Sequence, residues 1–163
     1  DENKIVKIMP KDLESFFRVC FILDNINKVP HNANLWLVYL LSYINKNNSL
    51  EDVYKITYCI DFLYSKIEVQ TNELAQLING IKKLIVIIAD FSKEDGSYRS
   101  SLKSSPLEET RYALFSINLL EDLTQDLIFY YSISELQPIR KIYENIENVG
   151  KTYKLIKEAT ENV

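Results

Sequence analysis

The chain has 163 residues, 47% of them hydrophobic, with a formal net charge of −4. That length reads as one domain with enough apolar residues for a core. Lysines interspersed among acids argue against a general nucleic-acid binder, which needs a clustered basic face. Three glycines and four prolines are few for the turns of a strand-rich domain, so composition points to an all-α fold.

The longest apolar run, 84–89, is far short of the ~18–20 residues that span a bilayer, so no membrane span is expected. Cys20 and Cys59 sit inside helical apolar patterns and read as buried free thiols, with a disulfide as the alternative. Two cysteines and one histidine do not suggest a zinc site. No cofactor or metal is expected. Asp1 in place of methionine reads as a piece of a longer or processed protein, the whole forming a single helical domain over 1–163.

In chain order, Pro10 opens a first helix that stops near Asn27, with Leu13, Phe16, Phe17, Cys20, Phe21 and Leu23 at helical spacing. A second spans 32–45 with Leu35, Trp36, Tyr39, Leu40 and Tyr43 as its buried stripe. Ser49 caps the third, with Asp52 three residues on. Thr71 is the expected cap of the fourth, 72–90, in which Gly80 allows close approach by a neighbouring helix. The polar segment 92–105 turns at Glu94-Asp95-Gly96-Ser97 and is either an ordered loop over a helix end or a mobile one. Ser105-Pro106-Leu107-Glu108 starts a fifth helix that runs to about Glu121. Thr124 starts a short sixth, and Pro138 lies near the start of a seventh that continues to about Thr160. The expectation is about seven antiparallel helices stacked as α-hairpins.

Three of these helices open alike, at Asp12-Leu13-Glu14, Ser49-Leu50-Glu51 and Pro106-Leu107-Glu108. Leu23, Ile60 and Ile117 then align, as do Ile26, Leu63 and Leu120. Recurrence of this kind predicts stacked helical hairpins, one set of helices packing on its equivalents and the other forming an outer layer. The stretch Leu107-Glu108-Glu109-Thr110-Arg111-Tyr112-Ala113-Leu114 resembles the helix-opening motif of the prenyltransferase and terpene-cyclase repeat. Asp95-Gly96-Ser97-Tyr98 is similar to that family's Gly-x-aromatic turn. The pattern is also similar to the helical repeat of a ribophorin-type oligosaccharyltransferase subunit. These resemblances imply a partial α/α toroid or helical array. The family's zinc ligands and Asp-x-Asp-Asp acid have no counterpart here, and the copies are spaced unequally, at 37 and 57 residues.

Arg99, Lys103 and Arg111 are candidates for an anion site near the start of the fifth helix, where free backbone donors help. As solvated loop charges they need no such role. Glu121, Asp122 and Asp126 are spaced like a magnesium cluster, and equally like acids ending one helix and beginning the next. His31 reads as a surface residue or part of a cap. Tyr54, Tyr58, Tyr64, Tyr112, Tyr130 and Tyr131 are many for one core to satisfy, because each buried hydroxyl needs a partner. Tyr54, Tyr58 and Tyr112 are therefore binding candidates, on a groove where aromatic bodies meet a ligand. With no complete catalytic motif, the first reading is a non-catalytic interaction or scaffold domain for a protein or peptide partner. The rival, implied by the resemblance, is an isoprenoid-diphosphate enzyme or binder with an aromatic-lined tunnel and acids at its mouth. A third is a viral or microbial helical bundle that mimics a host regulator through a hydrophobic groove.

Overall fold

A computed structural model of the chain describes residues 2–131. Among them are six helices: α1 (Glu2–Ile5), α2 (Leu13–Asn25), α3 (Ala33–Leu41), α4 (Leu50–Tyr64), α5 (Thr71–Asp90) and α6 (Pro106–Tyr131). No strand occurs among the described residues, only an isolated bridge between Ser92 and Tyr98. None of these helices is long and apolar enough to cross a membrane. The expected seventh helix lies outside the described residues.

Local chemistry sets several of the helix ends. Asp12 caps α2, its carboxylate accepting from the Ser15 amide at 2.8 Å. The same helix stops where Asn27 takes a positive φ of 54°. The Lys28 amide then donates to the Leu23 carbonyl and the Asn27 amide to that of Asp24, which satisfies two otherwise free acceptors. Ser49 and Asp52 form a reciprocal capping box on α4. At α5 the cap is Gln70, whose amide donates to Glu73 at 3.0 Å, and Thr71 is already the first helical residue.

The expected fifth and sixth helices are one. Leu120, Leu123, Thr124 and Leu127 are all buried at spacings of three and four, so a single apolar stripe runs through the expected break. Thr124 is inside that stripe and caps nothing. The acids around it lie mid-helix rather than at two helix ends.

The helices form two layers. α4 packs between α2 and α6, while α3 and α5 cover α4 from the other side. Ring contacts show the direction: Phe17 meets Tyr54 at 5.9 Å and Phe21 meets Tyr58 at 6.2 Å, so residue numbers rise together along α2 and α4. Tyr54 against Tyr112 and Tyr64 against Asp126 give α6 the same sense. α3 and α5 are the returning helices. Gly80 is where α5 meets the end of α3, since a Cβ there would sit 2.9 Å from Leu41 Cδ2 and 3.1 Å from Ile44 Cδ1. Between the layers lie Phe16, Trp36, Leu40, Ile56, Ile60 and Leu84. Cys20 and Cys59 are buried and unbridged. A hydrogen bond to Cys20, then burial, pushes the Cys59 thiol well above its ordinary range.

Three residues expected in buried stripes face solvent instead: Phe21 (51% exposed), Leu35 (56%) and Tyr39 (40%). Leu37, not in the expected stripe, is fully buried. α3 is apolar almost all round, so its periodicity does not choose a face.

Candidate functional site

The outward face of the α2, α4 and α6 layer carries a connected aromatic band. Phe17 and Phe21 are four apart on α2, Tyr54 and Tyr58 four apart on α4, and Tyr112 and Phe115 three apart on α6, so each pair shares a helix face. Phe17 meets Tyr58 edge-on at 5.4 Å, and Tyr54 meets Tyr58 at 6.4 Å, Tyr112 at 5.5 Å and Phe115 at 6.0 Å. Phe21 and Phe115, at the two flanks, are 51% and 47% exposed, and the other four rings are half-buried. All three tyrosines expected to bind thus stand together. The three phenylalanines were missed, because helical spacing places Phe17 and Phe21 with the core residues Phe16 and Cys20.

The tyrosine hydroxyls that lie against acids are satisfied there. Tyr58 donates to Asp24 at 2.8 Å, and Tyr64, at the C-terminal end of α4 beyond the band, donates to Asp126 at 2.6 Å. Burial, and then the carboxylate, raises both phenols above their ordinary range, so both remain protonated donors. Asp122 faces Asp61 instead. Burial first, then the charges of Asp122 and Asp24, raises Asp61 above its ordinary 3.8. Charged Asp61 therefore burdens the fold. The stability held by its protonated form is complete below 3.8 and is lost as pH rises through the elevated folded value. Asp61→Asn should raise the melting temperature at pH 7, and this gain should vanish in melts below pH 3.8. A gain that persists unchanged in acid would point to packing instead of charge.

Cations edge the band. Lys55 bonds Glu14 of α2, pairs with Glu51 at 3.2 Å and lies 6.0 Å over the Phe17 ring. Arg18 pairs with Glu14 at 3.1 Å. Of these ion pairs only Lys55–Glu14 joins α2 to α4, and it fixes their register; the other two each lie within one helix and add little stability. Arg111 lies 5.8 Å over the Phe115 ring.

The three cations expected at an anion site do not converge. Arg99 is spent inside its loop, bonding Asp95 at 2.7 Å and the carbonyls of Leu102 and Ser104, with its Nε buried and without a partner. Ser97 first, and then Arg99, holds Asp95 below its ordinary value. Lys103 is exposed on that loop, and Arg111 belongs to the band. The loop itself is ordered over the start of α6. Tyr98 and Thr110 exchange two hydrogen bonds, and Glu109 accepts from Ser100 and Ser104. Where an anion site was expected there is a cleft of about 260 Å³ between the starts of α4 and α6. Glu51, Glu108 and Glu109 line it with Ser49, Ser104 and Tyr112, and none of the three cations does. His31 is exposed, and its amide donates to the Val6 carbonyl at 2.9 Å.

A second cleft, about 460 Å³, lies between the end of α3 and α5. Its lining is Ile44, Val86 and Ile87 with Asn45, Lys46, Lys82 and Lys83, without the aromatic wall or acidic mouth that an isoprenoid tunnel calls for. Among the described residues no group of three or more His, Cys, Asp or Glu is placed to hold a metal ion. No family model matches the chain, and neither does any curated protein or solved structure.

Proposed function

We propose that this chain is a non-catalytic helical interaction domain that receives a protein or peptide partner on the aromatic band of α2, α4 and α6. The observation that carries the reading is the run of six touching rings across three helices, with its two flanking phenylalanines about half exposed. Large rigid rings offer much contact area at small entropic cost, which is why aromatic residues dominate binding hot spots. A band this continuous on one face is more than the scattered apolar exposure of an ordinary surface.

We also read α2, α4 and α6 as copies of one unit, in keeping with an α/α array of the toroid kind. Phe17 against Tyr54 and Phe21 against Tyr58 support this, since each ring meets its counterpart 37 residues on. Leu23, Ile60 and Ile117 are all buried, although Ile26 is exposed where Leu63 and Leu120 are not.

A photo-reactive phenylalanine analogue at Asn118, beside the band, should crosslink to a discrete partner in extracts of cells that make the protein. The same analogue at Val86, 61% exposed on α5, should not. Phe21→Ser with Phe115→Ser should reduce the Asn118 adduct about tenfold, as expected when hot-spot rings are removed. Equal labelling from both positions, or an adduct indifferent to the two serines, would remove the band from consideration.

A further inference from the structure

The band is not electrically neutral. At one end Tyr112 is shared with the cleft lined by Glu51, Glu108 and Glu109. Glu108 makes no ion pair among the described residues, and Glu51 shares Lys55 with Glu14. At the other end Asp24, Asp61 and Asp122 also lack ion pairs among the described residues, and their mutual repulsion is felt at Asp61. Lys55 and Arg18 are already matched by carboxylates, so among the described residues Arg111 over the Phe115 ring, and Lys103 exposed on the loop beside the cleft, are the nearby cations outside an ion pair. Acids therefore exceed cations at both ends of an aromatic surface. The rings already accept positive charge on their faces, from Lys55 at 6.0 Å and Arg111 at 5.8 Å.

We propose that the partner is a basic protein segment, which seats a lysine or arginine in the Glu51–Glu108–Glu109 cleft and lays its apolar residues along the band. This rests on the interaction reading above and adds the chemistry of the partner. A guanidinium or ammonium entering the cleft meets carboxylates and the Ser49 and Ser104 hydroxyls, all acceptors that suit a cationic donor. An acidic segment or a nucleic-acid backbone meets like charge at both ends of the face, which suppresses it as a partner.

The test uses the full chain and fluorescent dodecapeptides of one apolar pattern, whose polar positions are all arginine, all glutamine or all glutamate. Anisotropy should show the arginine peptide binding about tenfold tighter than the glutamine one, and the glutamate peptide weakest. Glu51→Gln with Glu108→Gln should erase the preference for arginine. On the wild-type chain, added salt should weaken the arginine peptide and leave the glutamine peptide nearly unchanged. Phe21→Ser with Phe115→Ser should weaken both. If arginine and glutamine peptides bind alike and both need the phenylalanines, the basic class is wrong and the band survives as a docking face. If the phenylalanine variant binds every peptide as the wild type does, the band itself is wrong. Arginine-peptide binding that ignores the rings and the two glutamates is diffuse attraction to an acidic protein and overturns the proposal.

Discussion

Phe16→Ala should lower the free energy of unfolding by about 3–5 kcal/mol, as buried phenylalanine truncations do, which is a large share of the ~5–15 kcal/mol a domain commands. Phe16 is fully buried and anchors an aromatic nest between the layers. Its ring meets Trp36 edge-on at 5.6 Å, stacks near Tyr39 at 6.2 Å and meets Tyr43 edge-on at 6.0 Å. Tyr43 in turn ties down the segment before α2 by donating to the Lys11 carbonyl at 2.9 Å. Truncation therefore leaves a cavity lined by rings that cannot collapse without moving α3. Trp36 is the only tryptophan and is 2% exposed, so its emission reports the unfolding in a urea titration. Phe21→Ala on the same helix is the internal control. Its ring is half exposed, and its loss should cost far less. Equal costs at the two positions would mean that α2 is rotated from the orientation described.

That contrast between Phe16 and Phe21 also marks the limit of what the sequence discloses. The helices α2, α4 and α5 are legible because their ends carry local chemistry: Asn27, Ser49 with Asp52, and a polar connector after each apolar run; the start of α2 is not, since Pro10 lies outside the helix and Asp12 caps it two residues later. Which face is buried is decided by the neighbours. α2 holds two adjacent apolar rows, Phe16 with Cys20 and Phe17 with Phe21, and only the docking of α3 and α4 sends the first inward and leaves the second at the surface. Tyr54, Tyr58 and Tyr112 were legible by a different argument, the number of hydroxyls a core must satisfy, and phenylalanine offers no such signal. The short α1 carries no periodicity to detect. Arg99 looked free beside Lys103 and Arg111, yet Asp95 four residues earlier already claims it through the turn at Gly96, whose φ is 81°. Charge patterns in loops name candidates, and loop geometry then spends them.

The band and its acidic ends follow from the layer itself. Three parallel helices at close spacing bring Phe17 and Phe21 of α2, Tyr54 and Tyr58 of α4, and Tyr112 and Phe115 of α6 into one continuous surface. The same juxtaposition places Asp24, Asp61 and Asp122 near one another. Repulsion there is a cost that the fold bears alone, and a cationic segment across the face would relieve it. The electrostatic burden on Asp61 and the chemistry of the expected partner are thus two expressions of one arrangement.

Thr124→Pro should cost about 3 kcal/mol or more, the price of proline in a helix interior. The reasoning turns on whether residues 106–131 form one rod or two. If Thr124 stood at the head of a separate helix, proline there would be as acceptable as Pro106 is at the start of α6, where no intrahelical donor is needed. In the continuous α6 the Thr124 amide sits within the helical ladder and its side chain is fully buried between Leu120 and Leu127, so the ring both removes a bond and collides with the preceding turn. Thr124→Val, which keeps the backbone and nearly the volume, separates the loss of the hydroxyl from the break. The consequence extends to the face. Asp122 opposite Asp61 and Asp126 bonded to Tyr64 lie on either side of the kink, while Tyr112 and Phe115 precede it. The proline variant should therefore unsettle the Asp61–Asp122 end of the face and spare the Tyr112 and Phe115 contacts at temperatures where it stays folded. Unchanged stability would restore two helices, and with them the acids at their junction.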